Sequence, residues 1–152
     1  MTDTPTNASD RLAQALEVGT AVTSAHFALT ALLEQIHGRD AAGGRRALLL
    51  NLHEKSWTVP QLAAMRPVSR QYIQKIINEL VSDGLVVRQA NPVHKRSPLY
   101  RLTREGQASL EDMLARETPI FAELARDFDQ GDVAATARVL WELRVRVLVR
   151  LE

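Results

Sequence analysis

Residues 58–84 read TVPQLAAMRPVSRQYIQKIINELVSDG, and two helix starts stand in that stretch. Thr58 with Gln61 three residues later has the spacing of a capping box, in which hydroxyl and amide each satisfy an orphan backbone group at a helix start. A short helix to about Met65 follows, ended by Arg66 and Pro67. Ser69 caps a second helix that runs to about Asp83 and stops at Gly84 in the position of a left-handed C-cap. Along this second helix Ile73, Ile76, Ile77 and Leu80 recur at helical spacing on one face. Gln71, Gln74, Lys75 and Asn78 share the opposite face, with Arg70 beside them at the N-terminal end.

Downstream, two short apolar runs, Leu85 to Gln89 and Leu99 to Leu102, read as a hairpin. Its loop is bracketed by Asn91-Pro92 and Ser97-Pro98 and carries His94, Lys95 and Arg96 in succession, a cationic tip. Thr103 caps a helix to about Glu117, Pro119 marks a kink or a boundary, and Gly131-Asp132 separates off a last helix. Upstream, Asp10 to His37 is one long helix rich in Ala and Leu, broken by Gly38 and the pair Gly43, Gly44. Arg45 to Lys55 is a shorter helix with Leu48, Leu49 and Leu52 inward. The last helix carries apolar residues over more than the single stripe that packing on one core requires, among them Val133, Leu140, Val145 and Val149. Another copy of the same helix is the natural cover for that second surface.

The chain has 152 residues and 45% hydrophobic content, enough for a core. It has no cysteine, which excludes disulfides and thiolate chemistry. The polar start lacks the basic and apolar regions of a signal peptide, and no apolar segment is expected to approach membrane-spanning length, so a cytoplasmic protein with no membrane partner is expected. Net charge is only +1, but between Trp57 and Arg104 there are 8 Lys or Arg against 2 acids. His26, His37, His53 and His94 show no metal-ligand spacing, and no phosphate loop, nucleophile elbow or carboxylate pair stands in a recognisable frame. No enzyme activity, metal or cofactor is expected.

A short helix, a tight turn and a second helix with a polar outward face make a helix-turn-helix, whose second helix fits the major groove of B-DNA. The hairpin after it is the wing. In that arrangement Ser69, Arg70, Gln71, Gln74 and Lys75 reach base edges and phosphates, while His94, Lys95 and Arg96 reach the neighbouring minor groove or its phosphates. A polar helix face is by itself usually solvated surface; the basic segment is what favours DNA over it.

The stretch from Thr58 to Gly106 resembles the MarR (multiple antibiotic resistance regulator) family. The resemblance is carried by Leu62-Ala63-Ala64, Val68-Ser69-Arg70-Gln71, the L-V-S-D-G-L of Leu80 to Leu85, Asn91-Pro92, and Leu102-Thr103-Arg104-Glu105-Gly106. It implies a mainly α fold with a small β-hairpin wing, a winged helix-turn-helix with long N- and C-terminal dimerisation helices. Residues 1–9 would be a disordered tail and 10–152 one regulator unit. Its DNA-binding lobe would span about 45–104, its dimerisation helices about 10–38 and 104–152. It further implies a homodimer on double-stranded operator DNA, commonly a repressor, released by a small aromatic effector. His53 and Trp57 lie where the family's ligand pockets lie, although core packing is the expected role of Trp57. Two departures stand out. Val93 and His94 replace the acidic residues that pair with arginine in the family's wing, and Arg66-Pro67 replaces a Leu-Gly type of pair in the turn. The alternative function is a winged-helix module that uses the same face to hold a protein.

Overall fold

The computed structural model of the protein describes residues 8–39 and 43–151. The chain divides between Gly43 and Gly44 into two units.

The first unit is the helix α1, Ala8–His37. It begins two residues before the expected Asp10; the rest of the expected tail, residues 1–7, lies outside the described residues. Gly38 ends it with φ 81°, and the Gly38 amide closes the last turn on the Glu34 carbonyl at 2.8 Å. No residue of α1 is buried, and Leu12, Leu16 and Phe27 are each more than 60% exposed. The expectation that no apolar segment approaches membrane-spanning length does not hold here. By length and composition α1 is long and apolar enough to cross a membrane, with a mean hydropathy of 1.3 over its most apolar window. Reading the spacing of leucines alone hid this, because Ala, Thr and Gly fill the gaps and no Asp, Glu, Lys or Arg interrupts residues 18–33.

The second unit contains α2 (Gly44–Glu54), α3 (Val59–Ala64), α4 (Arg70–Ser82), β1 (Val86–Gln89), β2 (Leu99–Leu102), α5 (Arg104–Leu124) and α6 (Gln130–Arg150). The expected caps form. Thr58 and Gln61 make the capping box of α3, Ser69 accepts the Tyr72 amide at the start of α4, and Gly84 takes φ 74° after it. The core gathers Leu48 and Leu52 of α2, Leu62 of α3, Ile73 and Ile77 of α4, and Leu110 of α5, all within 3% of fully buried. Each such side chain contributes about 1.5–3 kcal/mol of transfer free energy.

Strands β1 and β2 pair antiparallel with Val86 opposite Leu102 and Gln89 opposite Leu99. Trp57, just before α3, adds a bridge on the other edge of β2: its amide donates to the Tyr100 carbonyl at 3.1 Å and the Tyr100 amide returns to Trp57 at 2.8 Å. The hairpin is thereby pinned to the start of the helix-turn-helix. Its other anchor is Thr103, whose amide donates to the Leu85 carbonyl at 3.0 Å and whose hydroxyl donates to that of Gly84 at 2.7 Å.

Helix α5 does not end near Glu117 but continues through Pro119 to Leu124. A proline inside a helix removes one backbone donor and leaves the carbonyl four residues earlier free. Here that carbonyl belongs to Ala115, which is exposed, as is Pro119, so water can satisfy it. About one and a half turns of helix beyond a proline are tolerated on a solvated face. Arg46 of α2 forks onto Glu117 of α5 at 2.6 and 2.5 Å, and Glu117 is only 4% exposed. Helix α6 buries none of its residues. The fold is mainly helical with a two-stranded wing, as the sequence implied.

Candidate nucleic-acid interface

Helix α4 presents its polar face because its apolar one is consumed. Ile73, Ile76, Ile77 and Leu80 are buried, while Arg70, Gln71, Lys75 and Asn78 are exposed and Gln74 is half-buried. The Ser69 hydroxyl oxygen accepts the Tyr72 amide at 3.1 Å; its own proton remains free to donate. Gln74 donates through Nε2 to Asn78 Oδ1 at 2.8 Å, which orients the Gln74 amide. Lys75 stands 4.0 Å from Glu79 one turn on.

The only two acids between Trp57 and Arg104 are Glu79 and Asp83, and both turn toward Arg45 of α2, at 3.8 and 2.5 Å. Among the described residues no acid pairs with Arg70, Arg88, Lys95 or Arg96. Four cations of the basic segment therefore stand without an acidic partner among the described residues.

Between α4 and the wing lies a hollow of about 310 Å³, walled by Arg70, Gln71 and Gln74 on the α4 side and by Arg96 and Ser97 on the wing side. Four of the residues singled out from the sequence therefore meet at one place. Ser69 caps that helix and Lys75 lies on it, and His94 is exposed at the wing tip. Lys95 is different: it lines a second hollow, of about 400 Å³, together with Arg88, Gln89 and Asn91.

The wing lacks the acid-to-arginine pairing of its family resemblance and is braced by Asn91 instead. Asn91 Nδ2 donates to the Ser97 carbonyl at 2.8 Å, and Oδ1 accepts the amides of Val93 and His94 at 3.1 and 3.2 Å. One side chain closes the base of the loop and fixes its first turn. In the sequence Asn91 stands out as turn punctuation and as part of the family resemblance, not as the brace of the loop, and Arg88 is hidden in the apolar run Leu85 to Gln89. The signal for Arg88 was its place as the last cation before the loop.

His53 and Trp57 both have local partners. The His53 ring approaches Gln107 Oε1 at 2.9 Å. Trp57 donates through Nε1 to the Asn51 carbonyl at 3.1 Å, packs against the core, and has the Lys55 ammonium 4.1 Å over its ring. Arg66, unusual in the turn, donates to the Ala47 carbonyl at 3.2 Å and to Asn51 Oδ1 at 2.9 Å, so it fastens the turn to α2. Burial, and after it the charge of Arg144, holds the Arg66 guanidinium below its ordinary range, with Tyr72 acting in the opposite direction.

The MarR family model matches residues 43–97, the stretch that contains the turn, α4 and most of the wing. The crystal structure of a MarR family transcription regulator is 32% identical, covers 94% of this chain and 93% of its own, and superposes with a TM-score of 0.69. The chain belongs to the MarR family. A MarR family regulator from Rhodococcus sp. RHA1 superposes with a TM-score of 0.73 at 18% identity, over 86% of this chain and 95% of its own. A mutant of the E. coli MarR complexed with operator DNA gives 0.69 at 22% identity, over 86% and 95%, a likeness of fold. Uncharacterized proteins of Mycobacterium bovis and Mycobacterium tuberculosis are 36% identical over 92 residues, 60% of this chain. The match spans 64% of the length of these curated relatives. The MarR family is one of transcription regulators with a winged-helix DNA-binding fold.

Proposed function

We propose that this MarR family chain is a homodimeric, sequence-specific DNA-binding repressor that acts in the cytoplasm. The observation that carries the reading is the hollow where Arg70, Gln71 and Gln74 of α4 face Arg96 of the wing, with no acid among the described residues pairing with either arginine. Ser69, Arg70, Gln71, Gln74 and Lys75 enter the major groove, where arginine suits guanine edges and glutamine adenine edges. His94, Lys95 and Arg96 reach the adjacent minor groove, whose negative potential attracts cations. The strand backbone between the two grooves passes through the hollow. Dimerisation is supported by the uncovered apolar residues of α6, such as Trp141, Val145 and Val149, each more than half exposed, and by the equally uncovered α1. Release by a small aromatic effector belongs to this reading through the family.

The test is a gel-shift titration against random duplex and against the DNA upstream of the protein's own coding region, at two salt concentrations. Selective binding with a steep salt dependence, weakened in Arg70→Ala and in Lys95→Ala/Arg96→Ala, is expected. Phenolic acids added to the bound complex test the effector. Failure to retard any duplex at low salt would favour the protein-holding module instead.

A further inference from the structure

We propose that the outer face of the wing, built by Arg88 and Lys95, is a second phosphodiester site, so that the wing grips both strands across one minor groove. The inference rests on the DNA-binding reading and goes beyond it by assigning Arg88 and a second strand.

Three observations carry it. First, the adjacent cations of the tip diverge: Arg96 lines the hollow shared with α4, while Lys95 lines the other with Arg88. Pro98 belongs to both hollows, so they stand back to back across the end of β2. Second, Arg88 and Lys95 have no acidic partner among the described residues. Two like charges left unpaired in a hollow of about 400 Å³ suit an anion, and Gln89 and Asn91 on its wall supply polar groups. Third, the divergence is built in. Asn91 holds Ser97, Val93 and His94 by its side chain, and the Ser97 amide donates to the His94 carbonyl at 2.9 Å, so Lys95 and Arg96 sit at the closed end of a braced loop.

The minor groove of B-DNA is only about 6 Å wide, too narrow to take a two-stranded ribbon whole. A tip seated over its mouth, with cations turned to opposite sides, meets one phosphate backbone on each wall. The inner wall is the strand that also passes α4; the outer wall is the other strand. A wing lying along a single strand would leave Arg88 facing water.

The experiment uses the full chain and a retarded duplex in which single phosphates are replaced by neutral methylphosphonates. In the parent protein two sensitive positions are expected on opposite strands flanking one minor groove. Arg88→Ala is expected to weaken sensitivity at the outer position only, and Arg96→Ala at the inner one only. Arg88→Ala should also lower the slope of log affinity against log salt by about 0.9 per protomer, about 1.8 for the dimer. Arg88 is exposed, so an unchanged melting temperature is expected and serves as the folding control. Arg88→Ala with parental slope and an unchanged interference pattern, while Arg70→Ala still weakens binding, would overturn the second site and leave the DNA-binding reading standing. Both sensitive positions on one strand would overturn it equally. A parent protein that retards no duplex at low salt would remove the reading beneath it.

Discussion

A methyl group added to Gly106 would lie 1.9 Å from the carbonyl oxygen of Leu85, a backbone atom that cannot swing aside. Alanine is intrinsically the better helix former by about 1 kcal/mol, yet Gly106→Ala should destabilise by about 1–3 kcal/mol, because the start of α5 must back away from the hairpin. Urea titration checks this, and a variant as stable as the parent would refute the close approach. At Asn91 the issue is order rather than stability. Asn91→Ala removes the acceptor of the Val93 and His94 amides, so their hydrogen exchange should accelerate while the amides of α4 stay protected. Reading the sequence found the cations of the tip but not what holds them. A charged residue advertises itself by type, whereas Asn91 acts through backbone atoms up to six residues away that only the folded loop brings near.

Among the elements, α4 depends most on its first turn. Ser69 caps it, and Arg70 and Gln71 project from that same turn. Ser69→Ala should cost about 1 kcal/mol of stability and weaken DNA binding by more than the loss of one hydroxyl contact, since the fraying turn carries two proposed contacts. Ser69→Asp, which restores the cap but adds negative charge facing phosphate, should recover stability and not binding; melting and gel-shift titration separate the two. Caps, the αL glycine and the apolar face of α4 were legible because each is a local rule with a fixed spacing. The extent of α5 was not, because whether a proline ends a helix depends on whether water reaches the freed carbonyl. Nor was the Trp57–Tyr100 bridge, which joins residues far apart in the chain through main-chain atoms that every residue shares.

For the molecule as a whole, the Arg46–Glu117 pair links the start of α2 to α5 across 71 positions of sequence. Glu117→Ala leaves a largely buried guanidinium without its carboxylate and should cost about 3 kcal/mol, seen as a lower denaturation midpoint. The exposed Val145 and Val149 of α6 contribute nothing to the core of a single chain. Val145→Glu/Val149→Glu should therefore leave the fold of the lobe intact, by circular dichroism, while light scattering reports a monomer. A stable dimer in that variant would count against α6 as the interface. The sequence by itself determined the family, the winged helix-turn-helix and the identity of the cationic face, since caps, periodicity and charge are properties of neighbouring residues. Tertiary structure alone decided which cations face each other and which face apart. Arg70 meets Arg96 across a hollow, Lys95 turns away to Arg88, and Asp83 is drawn off to Arg45, all through packing and long-range pairing that no local spacing encodes.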